Sequence, residues 1–350
     1  MSHWTRLGVA IPAPRGDACH RPLLGSAPCG ARAANPAQGV VDMKVGFIGL
    51  GGIGKPMARC IARAGFELTV NDLREQPLKD LEQRGARIAR TAREVASASD
   101  IVLASLPSNE ASEEVALGPH GVLAGASNGD IYVELSTISP HVVRRISREA
   151  GGGGVEVLDA PVSGGMAQRR EGRLSVMVGG DAATLARARP VLEAIGERIF
   201  HVGGTGAGAT MKLVNNLLNG IGAVATMEAL ALGVKAGLRV ESMKEVISQS
   251  SGASRAFDGT VASIGRSSEP PPGGTANMGL RTIGKDIRLA VELAGDLGVP
   301  QSVGSSALQL YLAGFGHGWA DKESWVIMEL VERLSGVRVR PHDAGDSDDG

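Results

Sequence analysis

The sequence predicts an α/β domain with a largely parallel sheet, followed by an all-helical part that begins with a long helix. Two observations carry this prediction. Between Lys44 and about Gly204, short apolar runs alternate with amphipathic stretches, whereas no strand pattern follows Gly206. The break is abrupt enough to indicate a domain boundary. We therefore expect one domain over residues 43–205 and a second, helical domain over residues 206–335.

The same periodicity predicts the individual elements. Strands are expected at Val45–Gly49, Leu68–Asn71, Ile101–Leu106, Ile131–Leu135, Val155–Leu158 and Ser175–Val178. Helices of the second domain are expected at about Thr210–Ala236, Glu241–Ser250 and Ile283–Leu297.

Both ends of the chain lack an apolar periodicity. Residues 1–42 hold five prolines and four arginines, which predicts a disordered extension. A mitochondrial transit peptide is the less favoured interpretation, and a misassigned start codon at Met43 also stays open. Residues 336–350 are expected to form an acidic, flexible tail.

Composition narrows the class of protein. The 36 basic and 37 acidic residues leave no electrostatic case for binding nucleic acid or an anionic membrane surface. The longest apolar stretch, Ile221–Val234, is interrupted by Glu228 and is shorter than a membrane span requires. Three cysteines give neither a disulfide framework nor metal-ligand spacing, and the histidines form no ligand cluster. We expect a soluble, cytoplasmic protein without a metal site.

A glycine motif, Gly49-x-Gly51-x-x-Gly54, follows the first strand. Glycine makes up 50 of 350 residues, so the motif alone is weak and its context must carry the argument. Here a strand leads in, a helix leads out, and a second strand follows. In such a βαβ unit Gly49 permits a tight turn, Gly51 lets the backbone approach a pyrophosphate, and Gly54 allows close packing of helix on strand. The sequence therefore predicts a Rossmann-type dinucleotide site.

Asp72 ends the second strand, where a carboxylate would bind the adenosine ribose and repel a 2′-phosphate. This favours NAD. Arg74 leaves NADP possible, because its guanidinium could pair with that phosphate.

Lys212 and Asn216 lie four residues apart in the first long helix of the second domain, and so share one face. An otherwise apolar helix that carries both indicates a polar site for proton transfer. A solvated surface lysine is the alternative interpretation.

Further segments match one family in order and spacing. They are Glu134-Leu-Ser136-Thr137-Ile-Ser-Pro140, Asp159-Ala-Pro-Val-Ser163-Gly164-Gly165, the Lys212–Asn216 helix and Lys285-Asp286-Ile-Arg-Leu-Ala. With the glycine motif, they resemble the β-hydroxyacid dehydrogenases over about residues 43–330. That family includes 3-hydroxyisobutyrate dehydrogenase, tartronate semialdehyde reductase and 6-phosphogluconate dehydrogenase, with imine reductases as relatives.

The resemblance implies an NAD(P)-dependent enzyme that interconverts a small 3-hydroxy acid and its semialdehyde, and a homodimer or homotetramer. It assigns Lys212 as general acid/base with Asn216 beside it at the substrate. The implied ligand-binding residues fall into two groups: Ser163, Gly164 and Gly165 for the substrate carboxylate, and Leu106, Pro107, Ser136, Thr137 and Lys285 for the cofactor.

Three positions depart from the family pattern. Arg169 stands where alanine is expected, Arg173 replaces a threonine, and Arg288 replaces a glycine found in some members. Arg169 and Arg170 indicate either a solvated loop or an unusual anionic substrate. Alternative functions are a tartronate semialdehyde reductase, an imine reductase, which generally lacks the lysine, or a binding module without turnover.

Overall fold

The structure is a computed structural model that describes residues 43–270, 276 and 278–341. The predictions of a disordered segment over residues 1–42 and of a flexible tail beyond residue 341 lie outside the described residues.

The described strands are β1 (Lys44–Ile48), β2 (Glu67–Asn71), β3 (Arg87–Ile88), β4 (Ile101–Ala104), β5 (Ile131–Glu134), β6 (Glu156–Asp159), β7 (Val162–Ser163), β8 (Leu174–Gly179) and β9 (Gly196–Gly203). The helices that accompany them are α1 (Gly54–Arg63), α2 (Glu75–Glu82), α3 (Ala92–Ser97), α4 (Asn109–Leu117), α5 (Pro140–Gly151), α6 (Met166–Glu171) and α7 (Ala182–Glu193). The later helices are α8 (Ala207–Lys235), α9 (Val240–Ile247), α10 (Arg255–Ser263), α11 (Leu280–Asp296), α12 (Ser302–Gly316) and α13 (Ile327–Ser335), and 3₁₀ turns occupy Val122–Ala124 and Ser324–Val326.

The sheet has the order β3-β2-β1-β4-β5-β6-β8-β7, with β9 beside β8. Strands β1 to β6 run parallel to one another, whereas β8 is antiparallel to β6 and β7. The order 3-2-1-4-5-6 places the topological switch point between β1 and β4, and open α/β sheets bind ligands outside the carboxyl ends of their strands at this point. The prediction of a Rossmann-type domain followed by helices is confirmed.

Burial explains which strands the sequence predicts. Strands β4 and β5 are buried at every position, so they appear as continuous apolar runs. The strands missed by periodicity are β3, β7 and β9. The first two have only two residues each, and β9 is largely exposed, which leaves no apolar run to detect.

Two of the hydrophobic cores hold elements that carry site residues. One joins β1, β4 and β8 to α1 and α7, and includes Phe47, Ile61 and Leu103. The other is enclosed by α8, α11, α12 and α13, and includes Leu230 and Tyr311.

Helix α8, with 29 residues, is long and apolar enough to cross a membrane by length and composition alone. This corrects the expectation from Ile221–Val234, because the helix extends that stretch back to Ala207. The helix packs against β8, α10, α11 and α13. We interpret it as a core helix that links the sheet to the helical part.

Candidate active site

The glycine loop after β1 has the geometry that a dinucleotide needs. Gly49 has φ +88°, and a Cβ atom there would lie 2.3 Å from the Ser105 carbonyl oxygen. A Cβ atom on Gly54 would lie 1.9 Å from the Gly49 carbonyl oxygen. At Gly51 a Cβ atom would meet only Arg74 Nη2, at 4.0 Å. The first and third glycines are therefore required by packing, whereas Gly51 leaves open space against the backbone, as close approach of a pyrophosphate requires.

Asp72, at the end of β2, already has partners. Its Oδ2 accepts a hydrogen bond from Leu50 N (2.6 Å), and Arg74 donates to both carboxylate oxygens at 2.9 and 3.0 Å. Burial raises the pKa of Asp72, but the bonds from Arg74 and Leu50 outweigh it, so the net pKa is lowered. The residue that fits the ribose is thus charged and joined to the guanidinium that fits a 2′-phosphate.

The ends of β4 and β5 are tied together by side-chain bonds. Ser136 Oγ accepts from Leu106 N (2.7 Å), and Ser136 N donates to Glu134 Oε1 (2.9 Å). The buried Glu134 also accepts from Tyr132 Oη (2.9 Å). The N-cap of α5 is Ser139 and not Ser136. Pro107, next to Leu106, is exposed.

Asp159, at the end of β6, fixes the start of α8. Its fully buried carboxylate accepts hydrogen bonds from Gly206 N (2.8 Å) and Ala209 N (2.7 Å). A Cβ atom on Gly208 would lie 2.5 Å from the Asp159 carbonyl oxygen, so only glycine allows this approach. A carboxylate at a helix N-terminus satisfies unpaired N–H groups and complements the helix dipole. The sheet thereby sets the position of the helix that carries Lys212.

Lys212 is 8% exposed, which is unusual for a lysine. Burial lowers its pKa to about 8, Asp286 opposes this shift, and the charges of Arg169 and Lys285 add to it. Asp286, 2% exposed, accepts from Asn216 Nδ2 (2.6 Å) and pairs with Lys285 Nζ (2.8 Å). Lys285 Nζ also donates to the Thr137 carbonyl oxygen. One acidic side chain thus contacts Asn216 and Lys285 and acts through its charge on Lys212.

Two hydrogen bonds from neighbouring residues close the loop after β7. Gly165 N donates to Gln168 Oε1 (2.6 Å), and Arg169 Nε donates to the Gly164 carbonyl oxygen (3.2 Å). A Cβ atom on Gly164 would lie 2.6 Å from Leu174 Cδ2, so this position is tightly packed. Arg169 is half-buried rather than solvated.

Direct contacts connect some of the predicted site residues. Asp286 contacts both Asn216 and Lys285, and Lys285 in turn contacts Thr137. The charge of the Asp286 carboxylate also raises the pKa of Lys212 against the effect of burial. The family resemblance implied that Asp286 and Lys285 form a pair on the cofactor side, whereas sequence reasoning gave no role to Gln168. It also gave no role to the carboxylates Asp159 and Glu134. Each of those two ends a buried parallel strand at the ligand-binding edge, and that position was the signal available.

Two family models match the chain. Residues 44–203 match the NAD binding domain of 6-phosphogluconate dehydrogenase, and residues 206–331 match the model described as NAD-binding of NADP-dependent 3-hydroxyisobutyrate dehydrogenase.

Several relatives match over nearly their whole length. The chain is 38% identical to 2-(hydroxymethyl)glutarate dehydrogenase of Eubacterium barkeri, over 85% of this chain and 98% of that protein. It is 37% identical to NAD-dependent L-serine dehydrogenase of Pseudomonas aeruginosa, over 84% and 99% respectively. A solved 3-hydroxyisobutyrate dehydrogenase of Mycobacterium tuberculosis with L-serine matches with a TM-score of 0.74 and 30% identity, over 83% of this chain and 99% of that one.

Imine reductases are similar only in fold, as for the Myxococcus stipitatus enzyme, with 18% identity and a TM-score of 0.56. The full-length relatives at 37–38% identity settle the family. The chain belongs to the β-hydroxyacid dehydrogenases and is an NAD(P)-dependent oxidoreductase acting on a small 3-hydroxy acid.

Proposed function

We propose that the enzyme interconverts a 2-substituted 3-hydroxypropionate and its 3-oxo form, with Lys212 as the general acid/base. The observation that carries this proposal is a buried lysine with a pKa of about 8 beside the Asp286 carboxylate. A group that transfers protons near neutral pH works best when its pKa lies near the operating pH.

The names of the relatives describe one carbon skeleton. L-Serine, 3-hydroxyisobutyrate, 2-(hydroxymethyl)glutarate and the reduced form of 2-hydroxy-3-oxopropionate are all 3-hydroxypropionates with different groups on the carbon next to the carboxylate. The carboxylate and the reacting hydroxyl group are constant, and these are the groups that the proposed machinery addresses.

In the oxidative direction, the neutral Lys212 amine accepts the proton of the substrate hydroxyl group. Bound NAD(P) supplies the acceptor for the hydride that leaves the hydroxyl carbon. In the reductive direction the Lys212 ammonium polarises the carbonyl group and returns the proton. Asn216, held by Asp286 at 2.6 Å, orients the hydroxyl oxygen towards that amine.

The cofactor site is proposed along the carboxyl ends of β1, β2, β4 and β5. Gly49, Gly51 and Gly54 form the pyrophosphate loop, and Asp72 binds the ribose of the adenosine. Leu106, Pro107, Ser136 and Thr137 line the nicotinamide side. Lys285 closes this side from α11 through its bond to the Thr137 carbonyl oxygen.

The change in NADH or NADPH absorbance with each substrate, measured at saturating cofactor concentration, tests this proposal. We expect turnover of 3-hydroxyisobutyrate, L-serine, glycerate or 2-(hydroxymethyl)glutarate, and none of lactate, whose hydroxyl group is on the 2-carbon. Turnover of lactate with none of the four 3-hydroxy acids would contradict the proposal.

We also propose that two copies associate through α8. Met211, Val214 and Leu218 follow one another at helical spacing and are 43%, 55% and 73% exposed. An exposed apolar stripe of this kind is typical of an interface. Light scattering should show a dimer or tetramer, and Leu218→Glu should shift it towards a monomer, whereas Leu73→Glu, at a fully exposed loop position, should not.

A further inference from the structure

The loop after β7 lacks one of its expected anion donors. The resemblance to the family implies that the backbone N–H groups of Gly164 and Gly165 bind the substrate carboxylate. Here Gln168 Oε1 accepts the Gly165 N–H at 2.6 Å. A carboxylate cannot use this N–H group unless it displaces the amide of Gln168.

A different donor lies beside the same loop. Arg169 follows Gln168 on α6, and its Nε donates to the Gly164 carbonyl oxygen at 3.2 Å. This bond ties the guanidinium to the loop, and the residue is half-buried. Guanidinium groups bind carboxylates with two parallel hydrogen bonds, which is stronger than one bond from a neutral amide.

The loop beside Arg169 follows the strand end that fixes the helix of Lys212. Asp159, four residues before Ser163, accepts from Gly206 N and Ala209 N at the start of α8. In a 3-hydroxypropionate, a single carbon separates the carboxyl carbon from the hydroxyl carbon. A group beside the Gly164 loop can therefore hold the carboxylate while Lys212 faces the hydroxyl group.

Arg169 also has an acidic neighbour. Burial lowers the pKa of the Arg169 guanidinium, and the charge of the buried Glu323 carboxylate opposes this shift. Glu323 is itself fixed by a bond from Met278 N (2.9 Å).

We propose that the Arg169 guanidinium, with the Ser163 hydroxyl group, anchors the substrate carboxylate in place of the Gly165 N–H group that Gln168 occupies. This inference rests on the proposed function and explains why an arginine stands where the family pattern has alanine.

Steady-state kinetics of Arg169→Ala with 3-hydroxyisobutyrate and its methyl ester tests the proposal. Losing a charged hydrogen-bonding partner should raise KM for the acid about 10- to 100-fold and leave kcat within a few-fold. The acid-to-ester ratio of kcat/KM should fall by a similar factor, and Arg169→Lys should recover part of it. Arg170→Ala, one residue on and exposed, is the matched control and should retain wild-type KM.

The decisive variant removes the competing acceptor. Gln168→Ala frees the Gly165 N–H group, so the double variant Gln168→Ala/Arg169→Ala should regain at least about 5-fold in KM for the acid over Arg169→Ala, the scale of one hydrogen bond. A purely structural arginine would lower kcat/KM for ester and acid alike and would show no such recovery.

Three results would overturn the proposal: an unchanged KM for the acid in Arg169→Ala, an unchanged acid-to-ester ratio, or a loss confined to 2-(hydroxymethyl)glutarate. The last result would assign the guanidinium to a second carboxylate. Failure of the proposed function itself is distinguishable, because the wild-type enzyme would then turn over none of the 3-hydroxy acids.

Discussion

At the scale of single residues, the lysine of the site differs from an ordinary surface lysine in its protonation. Burial is the largest influence on the pKa of Lys212, and Asp286 limits the shift. Without that carboxylate the amine would lose its proton at a lower pH still, because the charges of Arg169 and Lys285 would act unopposed. Asp286 therefore sets the balance between the two forms that the reaction needs.

The pH dependence of kcat follows from this balance. Oxidation needs the neutral amine, so its rate should rise with pH through about 8, and reduction needs the ammonium, so its rate should fall across the same range. Stopped-flow measurement in both directions from pH 6 to pH 10 checks this. Asp286→Asn should move both transitions to lower pH. Identical pH profiles in the two directions would contradict the assignment.

We propose that Asp72 controls the choice of cofactor. Asp72→Asn keeps an acceptor for Leu50 N and removes the charge that pairs with Arg74 and repels a 2′-phosphate. We expect NADH affinity to fall by about 1.5–3 kcal/mol, as for a lost charged hydrogen bond, and NADPH affinity to rise. Fluorescence titration of both cofactors measures this, with Glu75→Gln on the adjacent exposed helix as control. A wild-type preference for NADPH would show that Arg74 dominates.

At the scale of elements, the position of Lys212 depends on the junction of β6 and α8. Asp159 is the last residue of β6 and accepts the first N–H groups of the helix, so strand and helix cannot shift independently. Strand β6 is in turn held in parallel register by β5.

Asp159→Asn tests this junction. The amide cannot accept from two N–H groups as the carboxylate does, so we expect the free energy of unfolding to fall by about 1–3 kcal/mol. Because the helix carries Lys212, kcat should fall as well, while NADH affinity stays close to wild type. Chemical denaturation and kinetics measure the two effects. Asp181→Asn, at the exposed N-cap of α7, should affect stability without affecting kcat.

The sequence predicted long, buried elements well and short or exposed ones poorly. Strands β4 and β5 and helix α8 follow directly from apolar periodicity, as does the glycine loop from its βαβ context. Strand β9 is largely exposed, and helices α12 and α13 begin without a side-chain cap, so neither pattern nor caps identified them. The hydrogen bond from Gly165 N to Gln168 Oε1 depends on the backbone conformation of the loop, which a sequence pattern does not reveal.

At the scale of the whole molecule, the site is completed from distant parts of the chain. Asp286 and Lys285 come from α11, Lys212 and Asn216 from α8, and Thr137 from the loop after β5. In the proposed function the sheet supplies the cofactor site and the helices supply the proton-transfer group, so changes in the two parts should have separable effects. The boundary between domains near residue 205 remains a prediction that limited proteolysis can examine.

The proton-transfer role of Lys212 is tested most directly by comparing Lys212→Ala with wild type in two measurements. Loss of the general acid/base should lower kcat for 3-hydroxy acid oxidation by about 10²–10⁴, while NADH affinity by fluorescence titration stays within a few-fold. Asn216→Ala should mainly raise KM, and the double variant should lose less than the sum of the single losses, because both residues act on one substrate. Near-normal turnover by Lys212→Ala would contradict the central claim that this lysine transfers the proton.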